Sequence, residues 1–348
     1  MSLLPSIVSN STRPAQPLLL LQSSVAQSAL PILRDLIAKS RGNVLLICYL
    51  YPHTVFSAGH DQHNVDVIDC TEYVLGYHSK ETPWKARVLS SLQGLDPTQP
   101  VTVVIDSIET LLSNVSGSIS AAHTFLSEIF SSVQKHKGHS RLVVHGIGSS
   151  PLTSSLRQPS FSSTLTHIIA HPPVLIEHLA RSYSTPPPPL STPEKFWGVF
   201  LPIAEREAES EALVFGADGE GYGGSEIVVE LVVRSTGDGR RRGVERALEG
   251  WIVEGDVPGP CDLRKLDSLR SIWSQRGAVQ ETGPDPTKNA SFNLNLTPEQ
   301  QQSRAQVPLP YAHDAAPGTS VIPEGSILYD PDSADDMDDD DPDEDLDI

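Results

Sequence analysis

The chain has 348 residues, 38% of them hydrophobic, with 29 prolines. That is room for one large domain or two small ones plus a tail, with a core diluted by sequence that does not fold. The net charge is −19, but Asp330 to Ile348 contain twelve acids and no Lys or Arg, and removing those twelve charges leaves −7. A uniformly basic nucleic-acid binder is excluded, because counterion release needs many cations facing phosphate.

Three cysteines, Cys48, Cys70 and Cys261, are too few and too scattered for a disulfide framework or a Cys-based zinc site. The N-terminal segment lacks a charged region, and its apolar run ends after five residues, unlike a signal peptide. No stretch reaches the roughly 20 apolar residues that span a bilayer. The expectation is a soluble intracellular protein, with no membrane partner, in cytoplasm and nucleus.

The first half alternates strand and helix signals. Pro17 to Leu21 (PLLLL) is a continuous apolar run of buried-strand length, and a helix follows with Ala26, Leu30, Leu33 and Ile37 at spacings of four, three and four. Pro31 fits that helix if it begins near Ser28, so that the proline falls in the first turn. Asn43 to Leu50 (NVLLICYL), Asn64 to Asp69 (NVDVID) and Val101 to Asp106 (VTVVID) read as further strands. A patterned helix is expected over Ser118 to Val133, and Arg141 to His145 (RLVVH) is the next strand. This alternation implies βαβ units and a mostly parallel sheet. Beyond about residue 160, Thr164 to Ala170, Lys195 to Ile203 (KFWGVFLPI), Glu226 to Arg234 and Gly243 to Val253 read as strands with few helical patterns between them. They predict an antiparallel extension of the same sheet. Ser182 to Pro193 (SYSTPPPPLSTP) reads as an exposed, polyproline-like loop. Residues 1–275 are expected to fold and 276–348 to form a tail, whose acidic end buries too little apolar surface to offset ordering entropy.

Asp106 ends a β-branched strand, where an NTPase carries the carboxylate that holds Mg²⁺. The alternative is an Asp that caps the helix beginning at Ser107. A phosphate loop needs glycines and a lysine, yet Gln22-Ser23-Ser24-Val25-Ala26-Gln27-Ser28-Ala29 follows the first strand with neither. No nucleotide cofactor is expected. The formal GxGxxG at Gly219, Gly221 and Gly224 precedes a strand instead of opening a helix, and reads as a mobile hairpin turn. Arg240, Arg241 and Arg242 should crowd the tip of a hairpin. They are either solvated charge that discourages edge pairing or an RNA phosphate contact. His60, Asp61 and His63 (HDQH) sit in polar sequence without a second cluster, so no metal is expected. His145 reads as a satisfied buried residue, and no catalytic set is discernible.

Ser291 to Thr297 (SFNLNLT), Glu299-Gln300, Gln306 to Tyr311 (QVPLPY), Ile327 to Tyr329 and the ending DDPDEDLDI resemble the C-terminal signature of the fifth-subunit family of the Elongator complex. That resemblance implies a RecA-like α/β domain without Walker motifs and without catalytic residues. It also implies membership in a heterohexameric ring, two copies each of three related small subunits, partnered by the larger catalytic Elongator subunits. The family ring binds tRNA and assists modification of the wobble uridine at C5. Two other readings stay open: a divergent NTPase using Asp106, and a ring-independent acidic adaptor.

Overall fold

The computed structural model describes residues 2–12, 16–56, 64–72, 84–217, 219, 224–236, 242–253 and 259–274. All fall within one compact unit, residues 1–281; a second unit, 282–348, lies outside the described residues.

A single sheet organises the chain. Strands β1 (Leu18–Ser23), β2 (Asn43–Cys48), β3 (Val65–Asp69), β4 (Val101–Ile105), β5 (Arg141–Ile147) and β6 (Leu165–His171) run parallel. Strands β7 (Glu226–Thr236), β8 (Arg242–Ile252) and β9 (Gly259–Cys261) extend it antiparallel from β6. The order across the sheet is β3-β2-β4-β5-β1-β6-β7-β8-β9. This is the mostly parallel sheet with an antiparallel extension that the sequence pattern implies.

The apolar runs of β1, β2, β4 and β5 are continuous because both sheet faces are covered. On one face Leu20, Ile47, Val103 and Val144 pack under α3 (Trp84–Gly94), α4 (Ile108–Asn114), α5 (Ile119–Val133) and α6 (Pro151–Leu156). On the other, Leu21, Leu46, Val104 and Val143 meet α1 (Leu4–Val8) and α2 (Leu30–Ala38). Helix α2 opens with Pro31 in its first turn, as expected. Helix α1 is clamped at both ends. The Glu249 carboxylate of β8 accepts from Ser2 Oγ and from the N–H groups of Leu3 and Leu4. The buried Arg141 guanidinium donates to Ile7 O at 2.9 Å, and also to Leu36 O near the end of α2 at 3.2 Å. Carbonyl ends of two helices thus face one cation, matching the sign of their dipoles.

The second half departs from expectation. KFWGVFLPI is not a strand but the body of α8 (Pro193–Ala204), one of three helices between β6 and β7 together with α7 (Pro173–Ser182) and α9 (Glu207–Phe215). A run this apolar fits a buried strand or a buried helix equally. The decision lies in the Pro193-Glu194 start and in the spacing of Phe196, Phe200 and Ile203, which are the buried positions. They form a third core with Leu175, Leu179 and Val228, joined by Leu263 and Leu269 ahead of α10 (Arg270–Ser274). The Pro-rich run is a loop, but it links α7 to α8 and Thr185 and Pro187 are buried within it. The glycine-rich run follows helix α9 rather than a strand, so it joins a helix to β7 and is not a hairpin turn; residues 218 and 220–223 lie outside the described residues.

Phe200 stacks on Phe196 with ring centroids 5.4 Å apart, and both are fully buried. Phe200→Ala should cost about 3–5 kcal/mol of unfolding free energy in urea melts, the usual range for a buried phenylalanine. A cost near zero would contradict a helix buried at this position.

Candidate functional site

In an open α/β sheet, ligands meet the carboxyl ends of the parallel strands. The residues that the sequence nominates for nucleotide chemistry gather there, at the ends of β1, β2, β4 and β5. Asp106, directly after β4, is fully buried. Its carboxylate accepts from the N–H groups of Tyr49 at 2.6 Å, Leu50 at 3.0 Å and Tyr51 at 2.8 Å. Burial pushes the carboxyl up, while those three bonds pull it the other way. The helix-capping reading of Asp106 is therefore corrected: Ser107 caps α4, its Oγ accepting from Thr110 N–H. Asp106 instead pins the chain as it leaves β2, and both of its oxygens are engaged by backbone.

His145 is buried, as expected, and its tautomer follows from its neighbours. Nδ1 lies 2.6 Å from the Asp106 carbonyl, which can only accept, so Nδ1 carries the proton. Nε2, 2.8 Å from Ser23 Oγ, then accepts from that hydroxyl, and Ser23 Oγ in turn accepts from Ala29 N–H at 2.8 Å. This chain of bonds runs from β4 through β5 to the turn between β1 and α2.

That turn occupies the place of a phosphate cradle. Ser24 and Gln27 exchange backbone bonds of 2.9 and 3.3 Å, and the N–H groups of Ala29 and Leu30 go to Ser23 Oγ and Ser28 Oγ. Pro31 has no N–H to offer an anion. Gln27 is buried, and Val25, 62% exposed, stands at the tip. Alongside, the cavity among Gln22, Gly146, Gly148 and His167 measures about 10 Å³, at the lower limit for one water. The neighbouring thiols of Cys48 and Cys70 are buried, which pushes them up to about 12 and about 11.

The remaining nominated residues fall elsewhere. Arg242 opens β8 opposite Thr236 of β7, so 237–241 do connect two antiparallel strands. Arg240 and Arg241 lie outside the described residues, as do His60, Asp61, His63 and the C-terminal residues 291–348. Among the described residues no group of three or more His, Cys, Asp or Glu could hold a metal ion, and no helix is long and apolar enough to cross a membrane.

What this geometry defines is an α/β chain in which the buried polar groups at the carboxyl ends of β1, β2, β4 and β5, Asp106, His145 and Ser23, bond to one another and to backbone. The sequence model of the Elongator subunit Iki1 family matches residues 3–189 and 256–330, more than half of the chain, and the chain belongs to that family. It is the family that the SFNLNLT and VPLPY segments resemble. The chain is similar to Elongator complex protein 5 of Danio rerio, 37% identical over 68 residues that cover 18% of this chain and 23% of that one. The Mus musculus protein of that name is 36% identical over 73 residues, covering 19% and 24%. The chain thus spans about a quarter of the length of the curated relatives it matches. Among solved structures it is similar to a KaiC-like protein of Pyrococcus horikoshii, at 9% identity and a TM-score of 0.35, over 68% of this chain and 86% of the other.

Asp106→Asn replaces one accepting oxygen by an amino group that faces backbone N–H donors. It should lower the unfolding free energy by about 2–3 kcal/mol, the cost of stranding buried donors; an unchanged urea midpoint would contradict the staple. Burial also holds His145 below the ordinary imidazole value, and His167 lower still, at about 3, with Arg157, His171 and Arg246 adding to the push. A depressed folded value means that the unfolded chain takes up these protons first. Their contribution to stability is complete above about pH 6.5 and is lost as pH falls toward the folded values, by up to about 1.4 kcal/mol per pH unit for each histidine. Between about pH 7 and about pH 5, wild type should therefore lose more stability than His167→Gln. Equal losses would mean that folded His167 already takes a proton.

Proposed function

We propose that this chain is a non-catalytic, architectural subunit of the Elongator complex. It takes its place in a heterohexameric ring of RecA-like subunits, two copies each of three related chains, that binds tRNA and supports modification of the wobble uridine at C5 by the larger catalytic subunits. Its partners are the two other small Elongator subunits, the catalytic subunits and tRNA, in cytoplasm and nucleus.

The observation that carries this reading is the closed corner in a member of an Elongator family. Phosphate binding would need inward-facing N–H groups and a cation between β1 and α2. Four of the turn's N–H groups, those of Ser24, Gln27, Ala29 and Leu30, are spent on its own Gln27, Ser24, Ser23 and Ser28, and no lysine or arginine lies within it. A subunit freed from turnover still offers surface to its neighbours, and a head-to-tail contact closes into a ring when its rotation permits.

Native mass spectrometry of the chain co-expressed with the two other small Elongator subunits tests the assembly. A six-subunit species with two copies of this chain is expected. A lone monomer that ignores both partners would overturn the ring and favour the adaptor reading.

A further inference from the structure

Five Ser-Pro or Thr-Pro pairs occur in the chain, at Thr82, Ser150, Thr185, Thr192 and Thr297. Two of them carry a lysine three residues after the hydroxyl, Thr82-Pro83-Trp84-Lys85 and Thr192-Pro193-Glu194-Lys195. Folding treats the five differently. Ser150 spends its hydroxyl at the start of α6, accepting from Thr153 N–H at 3.1 Å and bonding Thr153 Oγ1 at 2.9 Å. Thr185 is 1% exposed, and its hydroxyl donates to the Tyr183 carbonyl at 2.9 Å. Thr82 and Thr297 lie outside the described residues, and Trp84, two places after Thr82, is buried.

Thr192 is exposed, and so are Pro193, Glu194 and Lys195 after it. Its hydroxyl makes no hydrogen bond among the described residues, although it stands where a side chain could cap α8. Its backbone is extended, with φ −66° and ψ 142°. Pro193 fixes the next φ and has no N–H to lose. Glu194 and Lys195 fall in a first turn, whose N–H groups have no intrahelical acceptor. Lys195 Nζ reaches only the Ser184 carbonyl, at 3.4 Å. Burial begins at Phe196. Opening the turn as far as Lys195 costs its carbonyl bonds, among them Phe196 N–H to Thr192 O at 3.0 Å, and moves no buried side chain. Terminal turns are the part of a helix that opens most readily.

We infer that Thr192 is a phosphorylation site for a proline-directed protein kinase that reads a cation three residues beyond the acceptor. A kinase cleft that leaves the next N–H without a partner selects proline there, and an acidic group on the kinase pairs with Lys195. Such charge patterns are how kinases discriminate among substrates. In the transfer, Thr192 Oγ1 forms a bond to the γ-phosphorus of ATP, and the bond from that phosphorus to the β–γ bridging oxygen breaks. ADP leaves, and the hydroxyl proton passes to the catalytic aspartate of the kinase. The product places about two negative charges and three acceptor oxygens at the start of a 12-residue helix, where the dipole favours an anion. Phosphate thus supplies the cap that the Thr192 hydroxyl does not. The inference is independent of the ring assignment.

The test treats the folded full-length chain with a cyclin-dependent kinase, its cyclin and ATP, and maps phosphate by mass spectrometry. Thr192 is expected to be the main acceptor. Thr192→Ala removes a hydroxyl that bonds nothing among the described residues, and should remove that phosphate without unfolding the chain. Lys195→Ala should slow labelling about tenfold, the loss of one charge-assisted bond to the kinase. Hydrogen exchange at the amides of Glu194 to Phe196 should slow once Thr192 is phosphorylated. A native chain in which Thr192 stays unlabelled, whether or not Thr82 or Thr297 takes phosphate, would overturn the site. So would labelling of Thr192 in the destabilised Phe200→Ala chain but not in the native one. Wild-type labelling rates in Lys195→Ala would overturn the kinase class, and unchanged exchange would overturn the cap.

Discussion

The Asp106 carboxylate and the three backbone N–H groups that it accepts are the interaction on which the sheet's carboxyl edge depends. A buried carboxylate carries a large desolvation cost unless nearly all of its lone pairs are used. Here Tyr49, Leu50 and Tyr51 use them. That fixes the exit of β2, and the Asp106 carbonyl then orients His145, which orients Ser23, which caps the turn into α2. An acid that in a nucleotide-hydrolysing domain would face a metal ion is committed to the protein's own backbone.

Architecture follows from the same commitment. Both faces of the parallel core are packed by helices. Helix α1, held between Glu249 and Arg141, ties the antiparallel end of the sheet to the centre.

The parallel half was legible because its strands are uniform apolar runs and its helices amphipathic: PLLLL, NVLLIC and VTVVI admit no other reading once helices alternate with them. The missing phosphate loop was equally plain, since it is a matter of absent glycine and lysine. What the residues did not disclose was the role of Asp106. Its partners are main-chain groups more than fifty positions earlier, and main-chain partners leave no mark on a sequence. KFWGVFLPI misled for a related reason. Six apolar residues in nine leave the period ambiguous, and the Thr192-Pro193-Glu194 start together with the spacing of Phe196, Phe200 and Ile203 decides for helix.

The central claim is that this subunit contributes structure and not nucleotide chemistry. Photo-crosslinking of the assembled complex with an azido-ATP analogue and Mg²⁺, followed by mapping of labelled peptides, tests it most directly. No label is expected between Gln22 and Leu30 or around Asp106, whatever the partner subunits take up. Saturable labelling of the β1–α2 turn, competed by unmodified ATP, would contradict the closed corner and return the chain to the nucleotide-binding class.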